Sequence, residues 1–224
     1  RMRYDSILGN PLILDGTGQS PFRNDVGLLN GRIKTIGNLS RAEADLRIEA
    51  GDLALAPGFI DVHSHAEMTM VRPDHPSILE PLLRQGITTF VGGNCGVSMG
   101  PISETKPELQ FQFYDFFLGE AQEEKISWKS FGEMLDTLEH NGMVMNAAIL
   151  APHGILRMGV MGDSTEVAAR ADIEAMKAIL ADCLEAGAIG MSTGLMYFPG
   201  LSSDKMRSEQ HTSELQSHLN LVCR

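Results

Sequence analysis

"GFIDVHSH", residues 58–65, decides the fold, because the chain changes character on either side of it. It follows Pro57 and reads as a short β run that ends in two histidines one residue apart. Side chains alternate across a strand, so His63 and His65 project to the same side. Two imidazoles so placed either clamp one metal in cis or form a hydrogen-bonded pair in a core. Asp61 shares that face, where a core favours Val or Ile. Such polarity inside a barrel is unfavourable unless it binds something.

Downstream, strands and helices alternate. A helix is expected over 77–85, stopped by Gly86, and the β-branched run "ITTFV" (87–91) follows. After a stretch rich in Phe and Gly, a helix is expected near 130–140 with Gly142 as its stop, then a strand "MVMNAAIL" (143–150). Over 172–186, Ile173, Met176, Ile179, Leu180, Cys183 and Leu184 recur at helical spacing, and Gly187 ends the run. "AIGMST" (188–193) is a fourth strand. Such alternation implies parallel βα units, and four of them are half of a (β/α)8 barrel. In a barrel, the same-side histidines point inward, at the strand end where active sites form.

Upstream, residues 1–56 read as a small all-β domain. "DGTG" (15–18) is a turn cluster, and Asn30-Gly31 sits between two alternating apolar runs, a strong hairpin signal. Residues 57–206 carry the half-barrel.

Composition narrows the function. The 224 residues are 43% hydrophobic and 21% charged, as in ordinary globular proteins. A formal net charge of −11 and the absence of a Lys/Arg cluster argue against a nucleic-acid partner. No apolar run is long enough to span a bilayer, and the first residues lack a signal core, so no membrane partner is expected. Three scattered cysteines make no disulfide framework, which favours a reducing cytoplasm. The chain opens on Arg1 with Met2 behind it, so its natural start is left open.

One of those cysteines carries chemistry. Cys95 follows the second barrel strand in the Gly-rich turn "VGGNCGVSMGP" (91–101). A lone Cys is more often a small buried hydrophobe, but as a thiolate it is a good zinc ligand. Its place at the mouth of the strand beside the HxH run favours the ligand.

Four stretches together, "APGFIDVHSHAE" (56–67), "LRQGITTFVGGNCGVSMGP" (83–101), "NAAILAPHGILR" (146–157) and "GAIGMSTGLMYFPG" (187–200), resemble the N-acyl-D-amino-acid deacylase (D-aminoacylase) branch of the amidohydrolase superfamily. The likeness covers roughly residues 4–201, and the N-terminal stretch is similar to the superfamily's small β domain. The resemblance implies zinc held by His63, His65 and Cys95, with Tyr197 near the substrate. Further ligand histidines and a catalytic Asp are expected on later strands, so no catalytic residue is assigned here. The family's "GHG" stands as Pro152-His153-Gly154, which puts His153 at the mouth of the third strand with no assigned role. Ala66-Glu67 follows the histidine pair where an Asp is common, a departure of little weight.

The activity so implied is metal-assisted hydrolysis of small N-acyl-D-amino acids, the metal activating water and polarising the carbonyl while a carboxylate shuttles the proton. Hydantoinase and dihydroorotase relatives share the HxH and the barrel but rely on a carboxylated Lys after the fourth strand. "AIGMSTGLMY" has no Lys. A non-catalytic metal-binding half-barrel is the remaining alternative. The aromatic loop 111–117 either covers the site or packs on the barrel, and packing is favoured.

The segment "RSEQHTSELQSHLN" (207–220) fits no unit before it and resembles a translated sequencing adapter, Gln210 departing. A polar helix capped by Ser208 or Thr212 is the alternative. On the adapter reading, residues 207–224 are non-native, and His211, His218 and Cys223 belong to no site. The chain is then an incomplete fragment, expected to be inactive alone.

Overall fold

The computed structural model describes residues 3–119 and 126–203. The adapter-like tail, with His211, His218 and Cys223, lies outside the described residues. The chain divides into two compact units, Arg1–Gly58 and Phe59–Arg224, so Pro57-Gly58 stays with the first.

The first unit is built from seven strands: β1 (Arg3–Gly9), β2 (Leu12–Ile13), β3 (Phe22–Arg23), β4 (Asp25–Leu29), β5 (Arg32–Gly37), β6 (Glu43–Glu49) and β7 (Ala54–Leu55). One sheet runs β5-β4-β1-β6 and a smaller one β3-β2-β7. Asn30 and Gly31 both have positive φ, 52° and 71°, the geometry of a two-residue hairpin turn whose twist suits antiparallel β4 and β5. Tyr4, Ile7 and Leu39 form the buried cluster of this unit.

The second unit begins with β8 (Phe59–Asp61) and continues through α1 (Glu67–Met70), α2 (His75–Arg84) and β9 (Ile87–Gly92). Then come α3 (Pro107–Leu118), α4 (Phe131–His140), β10 (Asn146–Ile149), β11 (Ala151–Pro152), α5 (His153–Met161), α6 (Arg170–Glu185) and β12 (Met191–Ser192). β8, β9 and β10 pair in parallel, as do β11 and β12. The Ile189 N–H donates to the Ile149 carbonyl at 3.0 Å, and Ala151 N–H to Gly190 at 2.8 Å, which ties the two pairings into one parallel progression. A core of Phe90, Met99, Tyr114, Met134, Leu138 and Ile155 lies between strands and helices.

Local chemistry explains the helix starts. Ser130 caps α4 by accepting from the Glu133 N–H at 3.1 Å, while the Glu133 carboxylate accepts from the Ser130 N–H at 3.0 Å. Asp172 accepts from the Ala169 N–H at 2.9 Å, which starts α6 two residues ahead of the expected range.

Two helices depart from the sequence reading. The aromatic stretch 111–117 is not a loop but lies in α3, which opens with Pro107 at its first position and stops at Gly119 with φ 70°. Tyr114 is fully buried and Phe111 and Phe113 pack on the core, so the stretch packs rather than covers; Phe116 stays exposed. α5 was not anticipated, because Gly154 and Gly159 weaken helix propensity there. Burial of Ile155, Leu156 and Met158 overrides that weakness.

Among the described residues, strand β8 forms an open edge of its sheet. Phe59 and Ile60 are 67% and 61% exposed, and Val62 just beyond is 71% exposed. Apolar side chains on an unpaired parallel edge are a surface that a closed barrel would cover.

Candidate metal centre

The site lies where β8 and β9 end. β8 stops at Asp61, so the histidines occupy the turn just past it rather than the strand itself. Asp61 closes that turn by accepting from the His63 N–H at 3.1 Å. The backbone still tracks β9, for the Ser64 N–H donates to the Val91 carbonyl at 3.0 Å. Asn94 bridges the two segments, its amide donating to Ser64 O at 3.2 Å and to Val91 O at 2.7 Å. The imidazoles therefore converge through a polar turn, with ring centroids 6.1 Å apart and planes at 69°.

Cys95 reaches the same point from a tight 3-10 turn, Asn94–Gly96. Its φ of 58° is left-handed, which costs an L residue roughly 1–2 kcal/mol. Backbone packs on backbone around it. A Cβ at Gly93 would lie 2.1 Å from the Leu150 carbonyl oxygen, and one at Gly194 equally close to the Cys95 carbonyl oxygen. Only glycine fits at either place. Ser192, on β12, brackets the turn: its hydroxyl donates to the Gly93 carbonyl and accepts from the Gly96 N–H at 2.9 Å. The Tyr197 hydroxyl donates to the Cys95 carbonyl at 2.5 Å.

His63 Nε2 stands 3.2 Å from Cys95 Sγ. One ligand atom from each of His63, His65 and Cys95 lies within 4.8 Å of the others, the group of three potential donors found among the described residues. Two imidazoles and a thiolate suit a borderline-soft divalent cation such as zinc, and three protein ligands leave room for a further one. His153 opens α5 directly after β11 and is not in that group. Tyr197 stands at the Cys95 side of the cluster, with its hydroxyl on the backbone and its side chain 41% exposed.

Electrostatics act in opposite senses on the members of the trio, raising His65 and lowering Cys95. Glu67 beside His65 pushes that imidazole up to about 9, against the opposing effect of burial. Burial raises the Cys95 thiol, but hydrogen bonding from His65, His63 and Tyr197 outweighs it, and the net direction is down. Burial, then the Cys95 contact, raises the Tyr197 phenol to about 12, so it remains a donor. Cys183, on the buried face of α6, is pushed up to about 12 by burial and is inert as a ligand.

The sequence reading gave Glu67 little weight and missed Ser192. Glu67 was visible two residues after the pair, but its complete burial was not. Ser192 carried no signal, because its contacts with the Cys95 turn span almost a hundred residues of chain.

Comparison with known proteins places the chain. The amidohydrolase family profile matches residues 47–219, and the chain belongs to that family. Within it, the chain is 34% identical over 196 residues to a D-aminoacylase of Alcaligenes xylosoxydans xylosoxydans, covering 88% of this chain and 39% of that protein. It is 38% identical over 201 residues to an N-acyl-D-glutamate deacylase of the same organism, covering 88% of this chain and 38% of the relative. The α/β fold matches a D-aminoacylase crystal structure with a TM-score of 0.81 at 32% identity, over 96% of this chain and 44% of that one. It also matches an N-acyl-D-glutamate deacylase of Bordetella bronchiseptica solved with zinc and a phosphonate inhibitor, with a TM-score of 0.80 at 31% identity, over 97% and 44% of the two chains. The chain thus spans about two-fifths of the length of these relatives. Among the described residues, no helix is long and apolar enough to cross a membrane.

Proposed function

We propose that this chain is the N-terminal part of a zinc-dependent deacylase that removes the acyl group from N-acyl-D-amino acids. Residues 57–206 would form the first half of a (β/α)8 barrel and residues 1–56 part of a small β domain. The observation that carries the reading is the convergence of His63, His65 and Cys95 at the ends of two adjacent parallel strands. The open β8 edge and the similarity to proteins more than twice as long support the incomplete barrel.

Bound there, zinc would supply Lewis-acid polarisation of the acyl carbonyl and activation of water. The chain's own residues do the positioning. His63 and His65 are held by the Asp61 turn and the Asn94 bridge, and Cys95 by Ser192 and Tyr197. The exposed part of Tyr197 faces substrate in this reading, while its hydroxyl keeps the Cys95 carbonyl in place. The proton-shuttling carboxylate belongs to a later strand of the full-length protein.

Cyclic-amide hydrolysis of the hydantoinase or dihydroorotase type is less well supported. The relatives at 34–38% identity carry names of linear-amide deacylases, and residues 188–197 contain no Lys. A panel of N-acetyl-D- and N-acetyl-L-amino acids with chiral product analysis tests the proposal on the full-length parent. Release of D-amino acids is expected; preferential L release or hydantoin opening would overturn it.

A further inference from the structure

Glu67 is completely buried although it lies only two residues after the histidine pair. Its Oε1 accepts from the Gly93 N–H at 2.7 Å, and Gly93 is the left-handed residue that begins the bend to Cys95. The same Oε1 lies 3.8 Å from His65 Nδ1, ion-pair distance rather than a hydrogen bond. His65 Nδ1 and Glu67 Oε2 are both buried, and neither has a hydrogen-bond partner among the described residues. The carboxyl group is pressed against the β9 end, where a Cβ on Gly92 would meet Oε2 at 2.5 Å.

A buried carboxyl group with one amide donor is poorly compensated. A surface Glu at the start of a four-residue helix would avoid that penalty by facing water. Its inward placement joins the two segments that carry the donors of the cluster found among the described residues. Glu67 has one contact to each, the Gly93 N–H and His65 Nδ1.

We propose that Glu67 is a further positioning residue of the metal centre, a proposal that rests on the zinc reading above. It holds the proton of neutral His65 on Nδ1, which leaves Nε2 for the cation, and it anchors the Gly93 bend that presents Cys95. A ligand histidine whose second nitrogen faces a carboxylate is fixed in tautomer and orientation and is the more basic donor. One side chain thereby sets the relative placement of ligands that lie thirty residues apart.

The test uses the full-length parent, with zinc as the probe. Wild type, Glu67→Gln and Glu67→Asp are stripped of metal, checked by circular dichroism and thermal melting, and titrated with zinc against a chromophoric chelator. Gln keeps an oxygen for the Gly93 N–H but removes the anion beside His65. Its zinc affinity is expected to fall about 10- to 100-fold, with the metal-free melt unchanged or raised. The cobalt-substituted Gln variant should show shifted d–d bands, a signature that loss of stability alone would not produce. Asp keeps the charge on a shorter arm and is expected to lose less affinity than Gln.

Zinc affinity of the folded Gln variant within twofold of wild type, with an unchanged cobalt spectrum, would overturn the role of Glu67. If the Gln variant does not fold, the Asp variant decides, and wild-type affinity there overturns it equally. A wild type that binds no zinc would instead remove the metal reading itself, so the two failures are distinguishable.

Discussion

Replacing Ser192 with alanine isolates the cost of holding Cys95, the proposed metal ligand, in a left-handed turn. The hydroxyl bonds the Gly93 carbonyl and the Gly96 N–H, the two flanks of Cys95. Each bond contributes about 1 kcal/mol net, so the metal-free protein should lose about 2 kcal/mol of stability. The second consequence is at the metal. Cys95 sits at φ 58°, a conformation disfavoured by roughly 1–2 kcal/mol, and the clamp is what maintains it. With the clamp gone, the turn relaxes and zinc must impose the geometry on binding. That lowers affinity by about 5- to 30-fold, since 1.4 kcal/mol is tenfold. Urea unfolding of the metal-free full-length protein measures the first number and chelator competition the second. A folded Ser192→Ala protein with wild-type zinc affinity would show that the turn holds itself, and the clamp argument would be wrong.

Other outcomes follow from the same geometry. Cys95→Ala should remove metal and activity together, checked by metal analysis of the purified variant. In metal-free protein, a brief alkylation pulse at neutral pH should modify Cys95, whose thiol is lowered, and spare Cys183, which is buried and raised to about 12; peptide mapping reads this, and zinc should protect Cys95. Zinc affinity should fall about tenfold per pH unit as pH drops below about 9, because the raised His65 holds a proton in that range that the cation must displace. An affinity flat across the neutral range would contradict this. Expressed alone, residues 1–224 should hydrolyse no N-acyl-D-amino acid and should self-associate through the open β8 edge; a monomeric, active preparation in size-exclusion and activity assays would refute the half-barrel reading.

Much of this architecture was legible because it is local. The Asn30-Gly31 hairpin, the βα rhythm after Pro57 and the helix over the 170s and 180s each rest on short-range pattern, and each element is present. The convergence of His63, His65 and Cys95 was legible too, since HxH and the Cys of "GNCG" are compact motifs at the ends of adjacent strands. Residue-level placement was harder. Strand periodicity carried His63 and His65 into β8, whereas Asp61 turns the chain just before them. The run of aromatics in α3 hid a helix, because Phe reads equally well as strand, loop or core. Glu67 and Ser192 were illegible for a tertiary reason: one is defined by burial, the other by a contact made across most of the second unit.

The backbone-on-backbone packing around Cys95 has a consequence for anyone wishing to change the metal. The turn is moulded by its neighbours, with Gly93 against Leu150 and Gly194 against the Cys95 carbonyl, while the thiol itself projects toward the cluster. Mutational tolerance should therefore run opposite to chemical prominence. The donor at position 95 is an interchangeable plug, and the plain glycines beside it are the socket. Exchanging Cys95 for Asp or His would shift the preference from soft toward harder cations while the mould keeps its shape. A single methyl on Gly93 or Gly194 would break the mould and leave every donor in place.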